Sequence, residues 1–396
     1  MKAFAALLLI VSAGDHDRLD APVACGLRLS ELGLAAEQAA KASFLLVEKG
    51  AEKPVPVPAQ WESGGDGEGR LVFVLPGRTP KGATRTFQLL VKQDEPAPKG
   101  PACEVREGKS VQIAIGGKPV FRYNHGVVKQ FPDRESKYDR AGYFHPLWAP
   151  SGEVLTGDFH PDHAHHRGVW FAWAKAEAGP VKANFWEIQE GRGKFVNKSL
   201  APFDGPVFAG LVACNELVSG GKVLLNETLT ARAYAAPADV RLLDLTVRHE
   251  AAEGDVLLPK LLYGGLAYRG RDEWNEKNAA VEVLTSEGKT RKDANATTAK
   301  WLDYTGRLGQ EGWGGLLAIE HPSNPRYPNR VRVHPSMAFF SSTLVQTDSY
   351  TLKKGEPLEL RYRLALHDGK PDKALAERLA ADFASPPLAT LKRTEE

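Results

Sequence analysis

Two long runs near the middle of the chain, Val223–Tyr234 and Val240–Glu250, constrain the fold more than any other feature. They flank the short turn sequence AAPAD. In the second run Val240, Leu242, Asp244, Thr246 and Arg248 alternate with Arg241, Leu243, Leu245, Val247 and His249. A period of two puts one set on each face of a strand, and the second set is the more apolar. Ser110–Ile115, Pro119–Tyr123, Leu257–Tyr268, Gly314–Glu320, Met337–Ser342 and Leu358–His367 continue the series. No helical repeats separate these runs, which predicts an antiparallel sandwich rather than an α/β sheet. The 38 glycines and 27 prolines supply the turns that so many short strands need.

The chain is longer than one typical domain, so two are expected. Ser43–Val47, Leu71–Leu75 and Thr86–Val91 predict a small immunoglobulin-like sandwich over 14–93. Within it, residues 34–42 (LAAEQAAKA) can be read as a helix by propensity. Residues 94–101, DEPAPKGP, read as an extended linker. The large β-supersandwich is expected over 102–370, opening with a hairpin around Gly116-Gly117-Lys118. Over 371–396 a short C-terminal helix and a tail follow, with Leu375, Leu379 and Phe383 spaced along one helix face. The fold class is therefore all-β.

A net charge of +2 and the lack of a basic stripe argue against a nucleic-acid partner. No run approaches the ~20 apolar residues of a transmembrane helix. At the N-terminus, Lys2, the apolar run Ala3–Val11 and the small residues before Gly14 read as a signal peptide over 1–13. That reading implies an exported protein, periplasmic or extracellular; the alternative is an N-terminal strand. Cys25, Cys103 and Cys214 leave open one bridge, Cys25–Cys103, or three separate thiols.

The chemistry is concentrated in HPDHAHHRGVWFAW, residues 160–173, which holds four of the eleven histidines. On an extended backbone His163 and His165 share one side and His166 faces away. Such a pair can grip one divalent transition metal if His145 or Asp158 closes the site. Without metal, imidazoles can serve as paired acid and base, with Asp158 or Glu187 as orienting group or base. The candidate catalytic residues are thus His163, His165, His166, His145, Asp158 and Glu187. Arg167 can fork onto a carboxylate or a pair of hydroxyls. Trp148, Trp170 and Trp186 can stack on the apolar face of a sugar. Alternation places Trp173 on the face opposite Trp170. The stretches 264–274 and 320–330 add Arg269, His321, Asn324 and Arg326, and are expected to converge on the same cleft.

The segments YFHPLWAPSGEVLTGDFHPDHAHHRGVWFAW, NFWE, KWLDYTG, EHPSNPRYP and LRYRLALHDG resemble an uncharacterised bacterial family labelled methane oxygenase PmoA, over roughly residues 100–370. The label implies a membrane-embedded oxygenase, and the chain has no spanning segment to match it. The paired long strands ending in LRYRLALHDG also resemble the β-supersandwich of galactose-mutarotase-like proteins, which implies a carbohydrate ligand. The expected function is proton transfer on a sugar or oxidised sugar by an exported hydrolase, lyase or epimerase. A metal-dependent oxidoreductase and a non-catalytic glycan-binding protein are the alternatives. The expected partner is a small-molecule or oligosaccharide ligand.

Overall fold

The computed structural model describes residues 6–394 apart from 94, 96, 236, 238 and 276–279. Strands account for 54% of it and helix for 7%, so the all-β expectation holds. The small domain is one antiparallel sheet of seven strands. Its order is Arg18–Arg28, Glu68–Thr79, Val57–Gly65, Ser43–Glu48, Thr84–Lys92, Leu7–Ser12 and Leu388–Arg393. The two outermost strands approach each other. The sheet thereby wraps a core that includes Leu9, Val11, Leu46, Leu71, Phe73 and Phe87, all fully buried.

Residues near both ends of the sequence, Leu7–Ser12 and Leu388–Arg393, belong to this sheet. The apolar run read as a signal peptide forms the strand Leu7–Ser12, paired on one side with Thr84–Lys92 and on the other with Leu388–Arg393. Its alternating Leu9 and Val11 point into the core, as a period-two pattern requires. Lys2 lies outside the described residues. The C-terminal tail is likewise a strand. In place of one helix over 34–42 there are two single turns, Leu29–Leu32 and Ala36–Ala39. The three cysteines are free; Cys25 belongs to the small-domain core, whereas Cys103 packs against the core of the large domain.

The large domain pairs a nine-stranded sheet with an eight-stranded one. The nine-stranded sheet runs from Thr297–Thr298 through Arg330–Val333, Phe339–Thr343, Gly265–Arg269, Val169–Ala172, Tyr143–Leu147, Lys118–Asn124 and Ser110–Ile115 to Ala102–Arg106. The expected hairpin is present, with Gly116 and Gly117 both at positive φ as a tight two-residue turn demands. In the eight-stranded sheet Phe208–Ser219, Lys222–Tyr234, Val240–Ala251 and Leu358–Asp368 lie side by side. Phe144, Phe171, Tyr268 and Phe340 from the first sheet meet Leu211, Leu229, Leu245, Tyr304 and Leu364 from the second. Each such fully buried side chain is worth about 1.5–3 kcal/mol. The run Leu257–Tyr268, expected as one strand, is divided. Val256–Leu258 joins a separate four-stranded sheet, and Gly265–Arg269 joins the nine-stranded one.

The C-terminal helix is Lys373–Ala384, capped by Asp372, whose carboxylate accepts the N–H groups of Ala374 and Leu375. Ala376, Leu379 and Phe383 cover Leu242, Leu317, Ile319 and Ala365 on the outer face of the eight-stranded sheet. Val72 of the small domain enters the same apolar cluster. The helix therefore joins the two domains.

Candidate functional site

The histidine segment is a series of turns. His163 donates its N–H to the carbonyl of His160 at 3.1 Å, and His166 donates to that of His163 at 2.8 Å. Gly168 then redirects the chain with φ near +51°, and a Cβ there would lie 2.0 Å from the Phe144 carbonyl oxygen. Only glycine fits that approach. The turns bring all three rings together. Centroids are 5.0 Å apart for His163 and His166, 5.6 Å for His163 and His165, and 4.4 Å for His165 and His166. The expectation that His166 faces away rested on an extended backbone and is corrected.

The three rings border a cavity of about 220 Å³ whose wall continues through Trp186, Glu187, Tyr263, Arg332, His334, Met337 and Phe339. It lies on the face of the nine-stranded sheet turned away from the eight-stranded one. Phe339 lines it and Trp170 lies on the same face behind His166, while their neighbours Phe340 and Phe171 pack inward on Tyr304 and Tyr362. His166 is the buried floor, stacked on Phe339 at 4.7 Å and beside Trp170 at 5.2 Å.

The NFWE stretch forms one wall for a local reason. The Asn184 side-chain oxygen accepts the N–H groups of Trp186 and Glu187, which fixes the turn. Its amide nitrogen donates to Glu187 Oε2 at 2.7 Å, and the Tyr263 hydroxyl donates to Oε1 at 2.5 Å. Trp186 packs against Tyr263 at 5.3 Å.

Charge is arranged unevenly. Burial, followed by the nearby His163, Arg140 and Arg269, lowers the His165 pKa to about 4. Burial and then Arg332 lower that of His334 to about 4. His166 is pushed well below the ordinary imidazole value by burial and by His165. These rings are neutral near pH 7, each with one donor and one acceptor nitrogen. His163 differs in having its side chain 41% exposed. Its Nδ1 is buried 3.5 Å from Asp162 Oδ2, which leaves Nε2 as the open edge of the ring. Burial opposes ionisation of Asp162, but bonds from Asn275, Arg269 and His160 outweigh it and hold the carboxyl well below its usual range.

Several expected site residues lie elsewhere. Arg167 is fully buried and holds Asp158, the Tyr143 hydroxyl and the Tyr138 carbonyl, so it is no ligand fork. Asp158 is committed to that network. His145 bonds Thr156 Oγ1 at 2.9 Å, and burial lowers its pKa. Trp148 lies beneath the guanidinium of Arg122, away from the cavity wall. Trp170 is buried behind His166 and Trp186. Trp173 does fall on the opposite face, donating to His249 Nδ1 at 3.3 Å.

The two later loops part company. Arg269 lies under the histidines, donating to Asp162 at 2.9 Å. His321 instead packs on Phe383 of the helix. Asn324 bonds the backbone of Arg361, and Arg326 braces the carbonyls of Leu344, Asp348 and Ser349. The 320–330 loop is a structural brace because its polar groups are already satisfied by backbone.

Asp162, Tyr263, Arg332, His334, Met337 and Phe339 escaped the sequence reading. Asp162 lay inside the histidine motif, and HPSMAFF at 334–340 carries a histidine beside one of only two methionines in the chain. Among the described residues no three His, Cys, Asp or Glu side chains are grouped to hold a metal ion. The set expected from His163 and His165 with His145 or Asp158 is not assembled.

No curated protein matches the chain. A family model does match, over residues 110–381, and its span includes the whole cavity wall, most of the helix and nearly all of both large sheets. That span is well over half of the sequence, and the protein belongs to DUF6807, a family of unknown function.

Proposed function

We propose that the histidine cavity is the active site of a carbohydrate-directed enzyme that moves a proton on a sugar or an oxidised sugar. The observation that carries this reading is His163, whose open Nε2 edge borders an aromatic-walled cavity while the Asp162 carboxylate lies 3.5 Å from its Nδ1 without a hydrogen bond between them. An imidazole nitrogen open to a cavity can take a proton from a bound ligand as a general base. Glu187 borders the same cavity, its two oxygens held by Asn184 and the Tyr263 hydroxyl. The half-buried ring of Tyr263, with the buried Trp186 packed against it, offers a surface on which a sugar ring can stack. The neutral imidazole of His165 can meet a hydroxyl, and so can the Nε2–H of His334, whose Nδ1 accepts the Met337 N–H. The resemblance of the paired sheets to galactose-mutarotase-like proteins points the same way at the level of fold. A metal-dependent oxidoreductase lacks a comparable supporting observation, since the donors are not grouped around one point.

Aldoses, uronic acids and keto-sugars incubated with the protein in deuterated water test this. Deuterium incorporation or product formation by the wild type, abolished by His163→Ala, is the expected result. If no sugar of the panel exchanges, reacts or shows saturable line broadening, the proposal fails.

A further inference from the structure

Arg140 is 3% exposed and sits at the inner edge of a second cavity, of about 490 Å³, on the other side of the 184–193 turn. Ile188, Gly191, Gly193, Lys194 and Phe195 form the wall nearest to it. The guanidinium faces the Phe195 ring at 5.3 Å. Its Nε makes one long contact, 3.5 Å, with the Ala141 carbonyl. Both terminal nitrogens are buried and have no hydrogen-bond partner. The carboxylates that could compensate it are engaged elsewhere: Asp158 with Arg167 and Tyr143, Glu227 with His249 and Asn215. A buried, unpaired guanidinium is strongly unfavourable, and such groups persist when something outside the chain satisfies them. Burial and Arg167 already press its pKa down to about 9.

We propose that this cavity is a second ligand site that takes a small oxyanion, carboxylate or phosphate, on the fork of Arg140. Two terminal nitrogens in one plane match the two oxygens of such a group. Phe195 covers the guanidinium and is the side chain that turns aside to admit the anion. Lys194 adds a second positive charge to the wall. Asp139, the acidic residue in the wall, is held by the N–H groups of Gln130 and Ser136.

The test is thermal unfolding in inorganic phosphate or acetate from 0 to 5 mM, at ionic strength fixed with sodium chloride. The wild type should gain several degrees along a saturating curve. Arg140→Met should melt at or above the anion-free wild type and show no saturating gain, because it removes the unpaired charge. Response to phosphate alone assigns a free inorganic anion; response to both assigns a general oxyanion site that a ligand carboxylate can also use. A wild type indifferent to both anions, or an Arg140→Met protein with an undiminished response, overturns the proposal. The wild-type titration decides on its own if the variant does not fold.

Discussion

His163 and His166 are three residues apart in sequence and ring neighbours in space, yet replacing them should have opposite effects. His163 is half-exposed and makes little packing, so His163→Ala should change stability by no more than about 0.5 kcal/mol while removing exchange on any sugar substrate. His166→Ala empties a ring-sized volume beneath Phe339 and Trp170 and should cost about 3 kcal/mol in urea unfolding. Equal losses of stability in the two variants would sink the division into base and floor. The neutral rings set a pH dependence. His165 and His334 titrate near 4 when folded and near ~6.5 when unfolded. Between these values the unfolded chain binds more protons, so their contribution is complete above ~6.5 and is lost as pH falls towards 4. The Tm of a His165→Asn/His334→Asn variant should therefore fall less between pH 7 and pH 4.5 than that of the wild type; parallel curves would contradict this. The cluster was legible as a cluster because residue type alone marks it. Which ring faces the cavity was not, since Pro161 and Gly168 replace a strand by turns whose direction a period-two pattern does not encode. Arg167 misled for a related reason: a guanidinium beside histidines looks like a ligand fork until its partners, Asp158 and Tyr143, are seen to be inside.

At the scale of elements, alternation identified strands such as Val240–Ala251, missed others such as Phe208–Ser219, and failed where a run crosses between sheets. Leu257–Tyr268 reads as one run only across Pro259-Lys260 and Gly264-Gly265, the breakers that separate its two halves. Leu7–Ser12 is ambiguous in itself. A short apolar run serves equally as a signal sequence or as a buried strand, and in this fold it pairs with Thr84–Lys92 and Leu388–Arg393. Those partners come from positions far downstream, beyond the reach of any local pattern. Deleting residues 1–13 removes a strand hydrogen-bonded on both sides, together with Leu9, Val11 and Ala13 from the core. Two fully buried aliphatic side chains alone account for about 3–6 kcal/mol, much of the stability of a typical domain. The truncated chain should melt at least 10 °C lower or fail to fold, as read by circular dichroism. A truncated protein as stable as the full chain would show that the strand is dispensable.

For the whole molecule, the two domains are tied by more than a linker. Arg18 of the small domain is buried and donates to Asp382 of the helix at 2.8 Å, to the Ser385 carbonyl at 2.7 Å and to the Ala13 carbonyl at 2.8 Å. Gln60 Oε1 accepts the N–H groups of Val207 and Phe208 from the large domain, both at 3.1 Å. Since the helix packs on the eight-stranded sheet and the strand after it completes the small one, both domains depend on residues 373–393. Unfolding by calorimetry should accordingly show one transition for both domains. Asp382→Ala strands the Arg18 charge in the interior and should cost about 3–5 kcal/mol, lowering that one transition as a whole. Replacing both partners by apolar residues, as in Arg18→Met/Asp382→Leu, should recover most of the loss, because the penalty lies in the unpaired charge rather than in the absence of the pair. Two separated transitions in the wild type, or an Asp382→Ala effect confined to the lower of two, would mean that the domains fold independently and that the helix merely rests between them.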